Sequence, residues 1–465
     1  MNIDIAFLAF TLVAWLPFWF CRPAVAAAIV FFGGWLLLPV GHYAPGSAEA
    51  IFPYWITGLA VPSDMLLTKA WVAPVAALLG AAAFDRAGLR HWRPGWVDLP
   101  MTAWCVWPLV QAALQSLATD AVARPSALLA SLYLAGCWGA PWLLGRLYFS
   151  SPEGLRLLAA AMTGSALACL PFSLVEGIAG PVFYDRVYEL HPMHTDGIDR
   201  YLGFRPLGFF EDGNQYGIWI ALCALAAVWL AIAGRDDRFA RRWRIAAAVV
   251  LAMALAAQSL GALLMLAIGA AFLSLCRVLR PRRTAIALLA FLVLGGAIYV
   301  SGLVPVMQIG RSTAIGQRVL DGFRSVGRGS FTWRISQDQK MLAEVHQHAL
   351  IGSASWDWWR PKGTRPWGLS MLVLGQFGLV GLTLAMGSLL WPALRVAWRA
   401  PRASGWQPDG VQLMVATVTV LAALDALLNA FFFFPAIVAA GALAGSAAAI
   451  VHAGGEIVVV PASAT

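Results

Sequence analysis

A short polar segment stands directly before one of the long apolar runs of this sequence. In FRPLGFFEDGNQYGIW, Arg205, Glu211 and Asn214 precede the run IWIALCALAAVWLAIAG. Charged groups are costly at the end of a hydrophobic helix, so the segment predicts a site. Arg205 can bind phosphate or a glycan, Glu211 can act as a base, and Asn214 can contact a ligand. The structural alternative is a salt bridge from Arg205 to Glu211 or Asp212.

A second candidate region is the polar stretch 304–368, which carries nine basic residues against four acidic ones. Within it, SFTWRISQDQKMLAEVHQHALIG predicts a helix that has Ser330 or Thr332 as its N-cap and presents Arg334. The alternative for Arg334 is pairing with Asp338 at i,i+4. Such a guanidinium-rich region suits an anionic, lipid-borne ligand or, alternatively, anionic headgroups. The other candidate ligand contacts here are Arg311, Arg318, Arg324, Arg328, Arg365 and, for stacking on a sugar ring, Trp367.

Two histidines follow Arg334 in the same predicted helix. Residues two positions apart point about 200° away from each other in a helix, so His346 and His348 cannot both face one pocket. Either one is a candidate acid or base. A metal site formed by His191 and His194 with nearby aspartates is the weaker interpretation, and we expect neither a metal nor another cofactor.

Composition defines the elements that must position these residues. Of 465 residues, 60% are hydrophobic and only 12% are charged, with a mean hydropathy of +0.73, whereas soluble domains carry roughly 25% charged residues. The class predicted is an all-α polytopic membrane protein. The net charge of +9 is expected from cytoplasmic loops and does not indicate nucleic-acid binding. The six cysteines lie in or beside apolar runs, so no disulfide framework is implied.

Thirteen apolar runs are predicted to span the membrane, or twelve if one is merged with its neighbour. Short basic loops such as 235–244 and 280–283 place the N-terminus outside and the C-terminus inside. Residues 1–465 then form a single transmembrane domain. Its notable outer loops are 176–213, which holds RPLGFFEDGN, and the large, partly helical 304–368 between the tenth and eleventh spans. The spans are 4–20, 24–40, 65–84, 98–118, 126–148, 156–175, 214–234, 245–260, 261–278, 284–303, 369–394, 410–430 and 435–452.

Four sequence motifs carry a resemblance to a known family. They are RPLGFFEDGNQYG, the tight turn AQSLGALLML, the segment TWRISQDQKMLAEVHQHALIGSAS, and WGLSMLVLGQFGLVGL. Together, and with the large outer loop, they resemble the O-antigen ligase and O-antigen polymerase superfamily of bacterial membrane glycosyltransferases. Three departures stand out: Leu260 replaces the common turn arginine, Trp367 and Gly368 replace the ligases' His-Asn pair, and Gln376 replaces an acidic residue. The resemblance therefore favours the polymerase or exopolysaccharide branch over a true ligase.

The resemblance implies a metal-independent glycosyltransferase of the bacterial inner membrane whose active site faces the periplasm. Its donor would be a glycan on undecaprenyl pyrophosphate, and its acceptor a glycan or a lipid. The alternatives are an O-antigen ligase acting on lipid A-core, a lipid-linked sugar transporter or flippase, and a non-catalytic partner of a synthesis machine. A transporter would be expected to show broken helices and ionisable groups within spans, where Lys69 and Asp425 are the clearest candidates.

Overall fold

The protein is an all-α membrane protein over the part of the chain that the structure describes. This computed structural model describes residues 2–41, 67–116, 126–188, 191, 199–200, 202–235, 238–302, 306–325, 329–355, 358–359, 366–400, 405–427 and 429–452. Within these ranges the strands are β1 (Asp199–Arg200) and β2 (Gly203–Phe204), which pair antiparallel. Seven helical stretches there are long and apolar enough to cross a membrane.

Helices make up most of the described residues. Those of the first part of the chain are α1 Ile3–Val13, α2 Leu16–Phe20, α3 Pro23–Leu37, α4 Lys69–Phe84, α5 Arg86–His91, α6 Leu99–Ser116, α7 Ala127–Leu134, α8 Ala140–Tyr148, α9 Pro152–Ala168, α10 Leu170–Ala179 and α11 Phe183–Val187. Those of the second part are α12 Gly213–Ala233, α13 Ala240–Ala256, α14 Leu260–Leu275, α15 Pro281–Ser301, α16 Val306–Ser312, α17 Ala314–Ser325, α18 Gly329–Gln347, α19 Leu369–Arg399, α20 Val411–Asp425 and α21 Pro435–His452.

Every predicted span coincides with one or two of these helices. Some are short: α3 has 15 residues and α4 has 16, against the roughly 20 that a perpendicular crossing requires. The stretch 304–368 contains α16, α17 and α18. The last of these begins at Gly329, so neither Ser330 nor Thr332 precedes the helix as predicted.

The centre of the bundle is α12, whose side chains are buried from Gln215 to Ala227. The indole of Trp35 on α3 contacts the rings of Phe210, Trp219 and Phe434 edge-on, with ring centroids 4.7–5.7 Å apart. Edge-to-face pairs of this kind add to the apolar burial. The aromatic contacts therefore fasten the segment before α12 onto the middle of the bundle.

Helix α19 is broken at Gly378, where φ is +69° and ψ is −173°. A Cβ atom there would lie 2.3 Å from the carbonyl oxygen of Leu350, so only glycine permits the close approach. The freed carbonyls find side-chain donors: Trp107 Nε1 donates to the oxygen of Phe377 at 2.9 Å, and Gln111 Nε2 to that of Gln376 at 2.7 Å. Non-helical backbone at membrane depth requires such partners.

The chain after α18 lies against this break. The amide of Ser353 donates to the oxygen of Gly375 at 2.9 Å, and that of Leu379 donates to the oxygen of Ala349 at 2.8 Å. These backbone bonds attach the C-terminal end of α18 to α19. Since α18 carries Arg334, the break contributes to the placement of that guanidinium.

Candidate functional site

Arg205 is buried, with 6% of its surface exposed, at the start of the polar segment before α12. Its Nε donates to the carbonyl oxygen of Ala257 at 3.1 Å, and its Nη2 donates to Asn214 Oδ1 at 3.0 Å. Gly213 makes room for the guanidinium, because a Cβ at that position would lie 2.6 Å from Arg205 Nε. The turn AQSLG and the segment RPLGFFEDGN, which are separate in sequence, therefore meet through this one side chain.

The orientation of Asn214 is set by Asp212, the N-cap of α12. Asp212 Oδ1 accepts from the amides of Asn214 and Gln215 at 2.7 and 2.8 Å, and its Oδ2 accepts from Asn214 Nδ2 at 3.2 Å. With its amino group held by the aspartate, Asn214 presents its oxygen to the guanidinium. We call Arg205, Asn214 and Asp212 the Arg205 cluster.

The same order of side chains recurs at the C-terminal end of α20. Arg334 Nη1 donates to Asn429 Oδ1, and Asn429 Nδ2 donates to Asp425 Oδ1 at 2.6 Å. The guanidinium of Arg334 also lies 5.6 Å from the ring centroid of Trp367, within cation–π range. We call Arg334, Asn429 and Asp425 the Arg334 cluster.

The two clusters are coupled electrostatically. The charge of Asp425 interacts both with that of Arg334 and with that of Asp212, so the clusters lie within range of each other's charge. Asp212, Asn214, Arg334, Asp425 and Asn429 are all partly exposed. The arrangement is a partly exposed polar patch that contains the guanidinium of Arg334 and two carboxylates, with Arg205 buried in the adjoining cluster. Its chemistry suits an anionic ligand and, beside it, a hydroxyl group that needs a proton acceptor.

Asp338 fixes the helix that carries Arg334. Its carboxylate is 1% exposed, accepts from the backbone amide of Trp367 at 2.6 Å and accepts from the hydroxyl of Tyr299 at 2.7 Å. Burial raises the pKa of Asp338 to about 6, against the opposing effect of these hydrogen bonds and of the charge of Arg334. The i,i+4 alternative is therefore present only as charge attraction, while the hydrogen bonds of the two side chains go to other elements.

Glu211 faces a different neighbour. It is 3% exposed, and its charge interacts with that of Lys69 on α4, itself 3% exposed. Lys69 Nζ donates to the carbonyl oxygens of Trp35 and Phe209 at 3.1 and 2.9 Å. The carboxylate thus lies at a buried lysine that holds the motif to the bundle, a placement that fits a structural partner better than a base.

Sequence reasoning missed four residues of this region. Glu176 is fully buried, and its Oε2 accepts from the amides of Leu207 and Gly208 at 2.8 and 2.6 Å, which shapes the chain just after Arg205. Asp338 was considered only as a partner for Arg334. The sequence marks Asp425 as an ionisable group within a span. The side-chain amide of Asn429, four residues later, is the signal that Asp425 belongs to a polar face.

The remaining predicted residues lie away from the two clusters or outside the described ranges. His346 and His348 are exposed, and His346 is twelve residues beyond Arg334, or about 18 Å along α18. Its Nε2 lies 3.3 Å from the oxygen of Val300. Arg311 and Arg318 are exposed, Arg311 at a surface cavity of about 650 Å³ that Lys340 also lines. Arg324 is near the end of α17, and Arg328 and Arg365 lie outside the described residues.

Among the residues the structure describes, no three His, Cys, Asp or Glu side chains are grouped so that they could hold a metal ion. The chain matches no family model, no curated protein and no solved structure.

Proposed function

We propose that the protein is a glycosyltransferase that moves or polymerises a glycan from an undecaprenyl-pyrophosphate carrier on the outer face of the bacterial inner membrane. The observation that carries this proposal is the electrostatic coupling of the Arg205 and Arg334 clusters in one partly exposed polar region. Two guanidinium groups beside a membrane-embedded helix bundle suit a lipid-linked diphosphate. The proposal also draws on the sequence resemblance to the O-antigen ligase and polymerase superfamily.

The proposed topology has thirteen spans, with the N-terminus outside and the C-terminus inside. The residues of both clusters, together with Ala257 and Trp367, fall at helix ends or loops that this topology assigns to the periplasm. Their proximity in the fold supports the assignment, since groups on opposite faces would be separated by a hydrocarbon core about 30 Å thick.

In the proposed reaction, an acceptor hydroxyl attacks the anomeric carbon of the donor glycan. The bond from that carbon to the carrier diphosphate breaks, and its electron pair leaves with the diphosphate. A guanidinium has five N–H donors, and within the described residues Arg334 uses one of them on Asn429. Arg334 is thus the proposed diphosphate contact, while the more deeply buried Arg205 orients Asn214 and adds positive charge. Preorganised donors of this kind stabilise the charge that develops on a leaving group.

The proton of the acceptor hydroxyl goes to Asp425 in this scheme. Both carboxylate oxygens of Asp212 already accept hydrogen bonds: Oδ1 caps α12, and Oδ2 holds the side-chain amide of Asn214. Asp425, in contrast, accepts one hydrogen bond among the described residues, through Oδ1 from Asn429. Its second oxygen can therefore accept a proton. Neither step calls on a metal, since diphosphate already leaves well.

The alternative of lipid-linked sugar transport is favoured by two observations: the break in α19 at Gly378 and the buried Lys69. Both features are common in transporters. In this protein the carbonyls freed by the break bond to Trp107 and Gln111, and Lys69 bonds to two backbone carbonyls. Both features are thereby used in packing, and surface chemistry is the better supported function.

The test is incubation of the purified full-length protein with an undecaprenyl-pyrophosphate-linked repeat unit, followed by gel analysis. A ladder of products is expected from a polymerase, and a single shift of added lipid A-core would identify a ligase. EDTA should leave the rate unchanged. No product in either reaction, together with movement of the lipid-linked glycan across vesicles containing the protein, would overturn the proposal in favour of transport.

A further inference from the structure

An apolar groove of about 480 Å³ runs between α3 and α9, within the roughly 300–1,000 Å³ typical of small-molecule sites. Its lining residues recur every three or four positions, as in Val25, Ile29, Phe32 and Leu36 of α3, so one face of the helix forms its wall. From Val25 to Leu37 this wall is about 18 Å long. The groove is therefore elongated along the direction of the helices.

One end of the groove is closed by the motif that contains Arg205. Pro206, Gly208 and Phe209 line this end, as does Tyr216 on α12. Pro206 directly follows Arg205, and Tyr216 lies two residues beyond Asn214. The apolar groove thus leads to the chain segments that build the Arg205 cluster.

The groove is open sideways, and no side chain of the described residues fills it. Ile29 is 48% exposed and Leu37 is 47% exposed, so the α3 wall borders the lipid phase of a surrounding membrane. At Gly33 and Gly164, which lie on opposite walls, a Cβ atom would meet no other atom within 4 Å. A hydrocarbon chain can enter such a slot laterally and displace no part of the fold.

We infer that this groove holds the isoprenoid chain of the lipid diphosphate carrier, so that the diphosphate is held at the Arg205 and Arg334 clusters. This inference rests on the proposed function for the identity of the donor. A slot with apolar walls that is lined at one end by Pro206, the residue after Arg205, is complementary to a lipid with one long chain and a compact, highly charged head. A phospholipid would leave its second acyl chain outside the slot.

The test fills the groove without disturbing its walls. Gly33→Leu and Gly164→Leu place a side chain in open space, and Gly387→Leu on α19 is the matched control, since its Cβ position is equally open and lies outside the groove. Binding of undecaprenyl diphosphate and of inorganic diphosphate to the purified protein is measured for each variant. We expect both groove variants to weaken binding of the lipid at least about tenfold, with inorganic diphosphate binding unchanged and the control like wild type.

Two outcomes would overturn the inference. The first is unchanged binding of undecaprenyl diphosphate in both groove variants. The second is that the variants lose bound phosphatidylglycerol, measured by native mass spectrometry, and not undecaprenyl diphosphate. The result is separable from the proposed function. If the protein transfers glycan but Gly164→Leu leaves lipid binding unchanged, the groove inference fails and the proposed function stands. If lipid binding depends on the groove but no glycan is transferred, the proposed function fails and the groove remains a lipid site.

Discussion

The Arg205 and Arg334 clusters contain the same three side-chain types in the same order, but the chain builds them in opposite ways. Arg205, Asn214 and Asp212 lie within ten residues, and the cap of α12 orients them. Arg334 and Asn429 are 95 residues apart and come from different helices. The first cluster is thus local and tied to the bundle, whereas the second exists only when α18 docks on the end of α20. One cluster is local in sequence, and the other depends on assembly.

The largest effects are expected from removing the two arginines. Arg334→Ala should lower glycan transfer about 10²–10³-fold, as for loss of one preorganised donor, with little change in melting temperature because Asp338 still anchors α18. Arg205→Ala should lower transfer comparably and also lower the melting temperature, since it leaves the buried oxygen of Ala257 without its donor. Transfer rates and thermal unfolding of the purified variants measure both effects.

Arg318→Ala, which removes an exposed arginine of α17, is the matched control and should behave like wild type. Equal losses of melting temperature in Arg205→Ala and Arg334→Ala would contradict the distinction between a local and an assembled cluster. Normal product length and amount in both arginine variants would show that neither arginine takes part in the reaction.

A smaller effect is expected from the carboxylates, and it should differ between the clusters. Asp425→Asn removes the proposed proton acceptor and should lower transfer about 10²-fold. Asp212→Asn should change transfer only a few-fold, because asparagine caps a helix as well as aspartate. The ratio of the two rates is the informative measurement. Equal losses would show that both aspartates act through charge or structure alone.

The smallest effect concerns Asp338 and is measured through pH. Its pKa of about 6 in the folded protein is raised from 3.8, so the folded state binds the proton more tightly than the unfolded state. Its stabilising contribution is therefore fully present below about pH 4 and is lost as pH rises through about 6. The shift of roughly two units corresponds to about 3 kcal/mol.

Thermal unfolding at pH 5 and pH 7 tests this linkage. The melting temperature of the wild type should fall between the two conditions by more than that of Asp338→Asn, which has no titrating group at this position. The same difference in both proteins would show that Asp338 does not titrate in this range. The docking of α18 would then rest on other contacts.

Much of the architecture was predictable because membrane solvation imposes it on the sequence. Long apolar runs must form helices in lipid, and each predicted span falls on a helix. The Arg205 cluster was half predictable for a similar reason: Asp212 and Asn214 stand at a recognisable helix start. The side-chain partner of Glu211 was not predictable, because the sequence does not show that Lys69, some 140 residues earlier, interacts with it.

The sequence by itself determined the helical class, the position of the polar motif before α12 and the concentration of arginine in 304–368. These follow from local composition, hydropathy and capping. Only the tertiary structure decided that Arg334 meets Asn429, that the charges of Asp425 and Asp212 interact, and that His346 and His348 remain exposed. Such contacts depend on how helices separated by about a hundred residues pack and on where α19 breaks, and no local periodicity encodes that geometry.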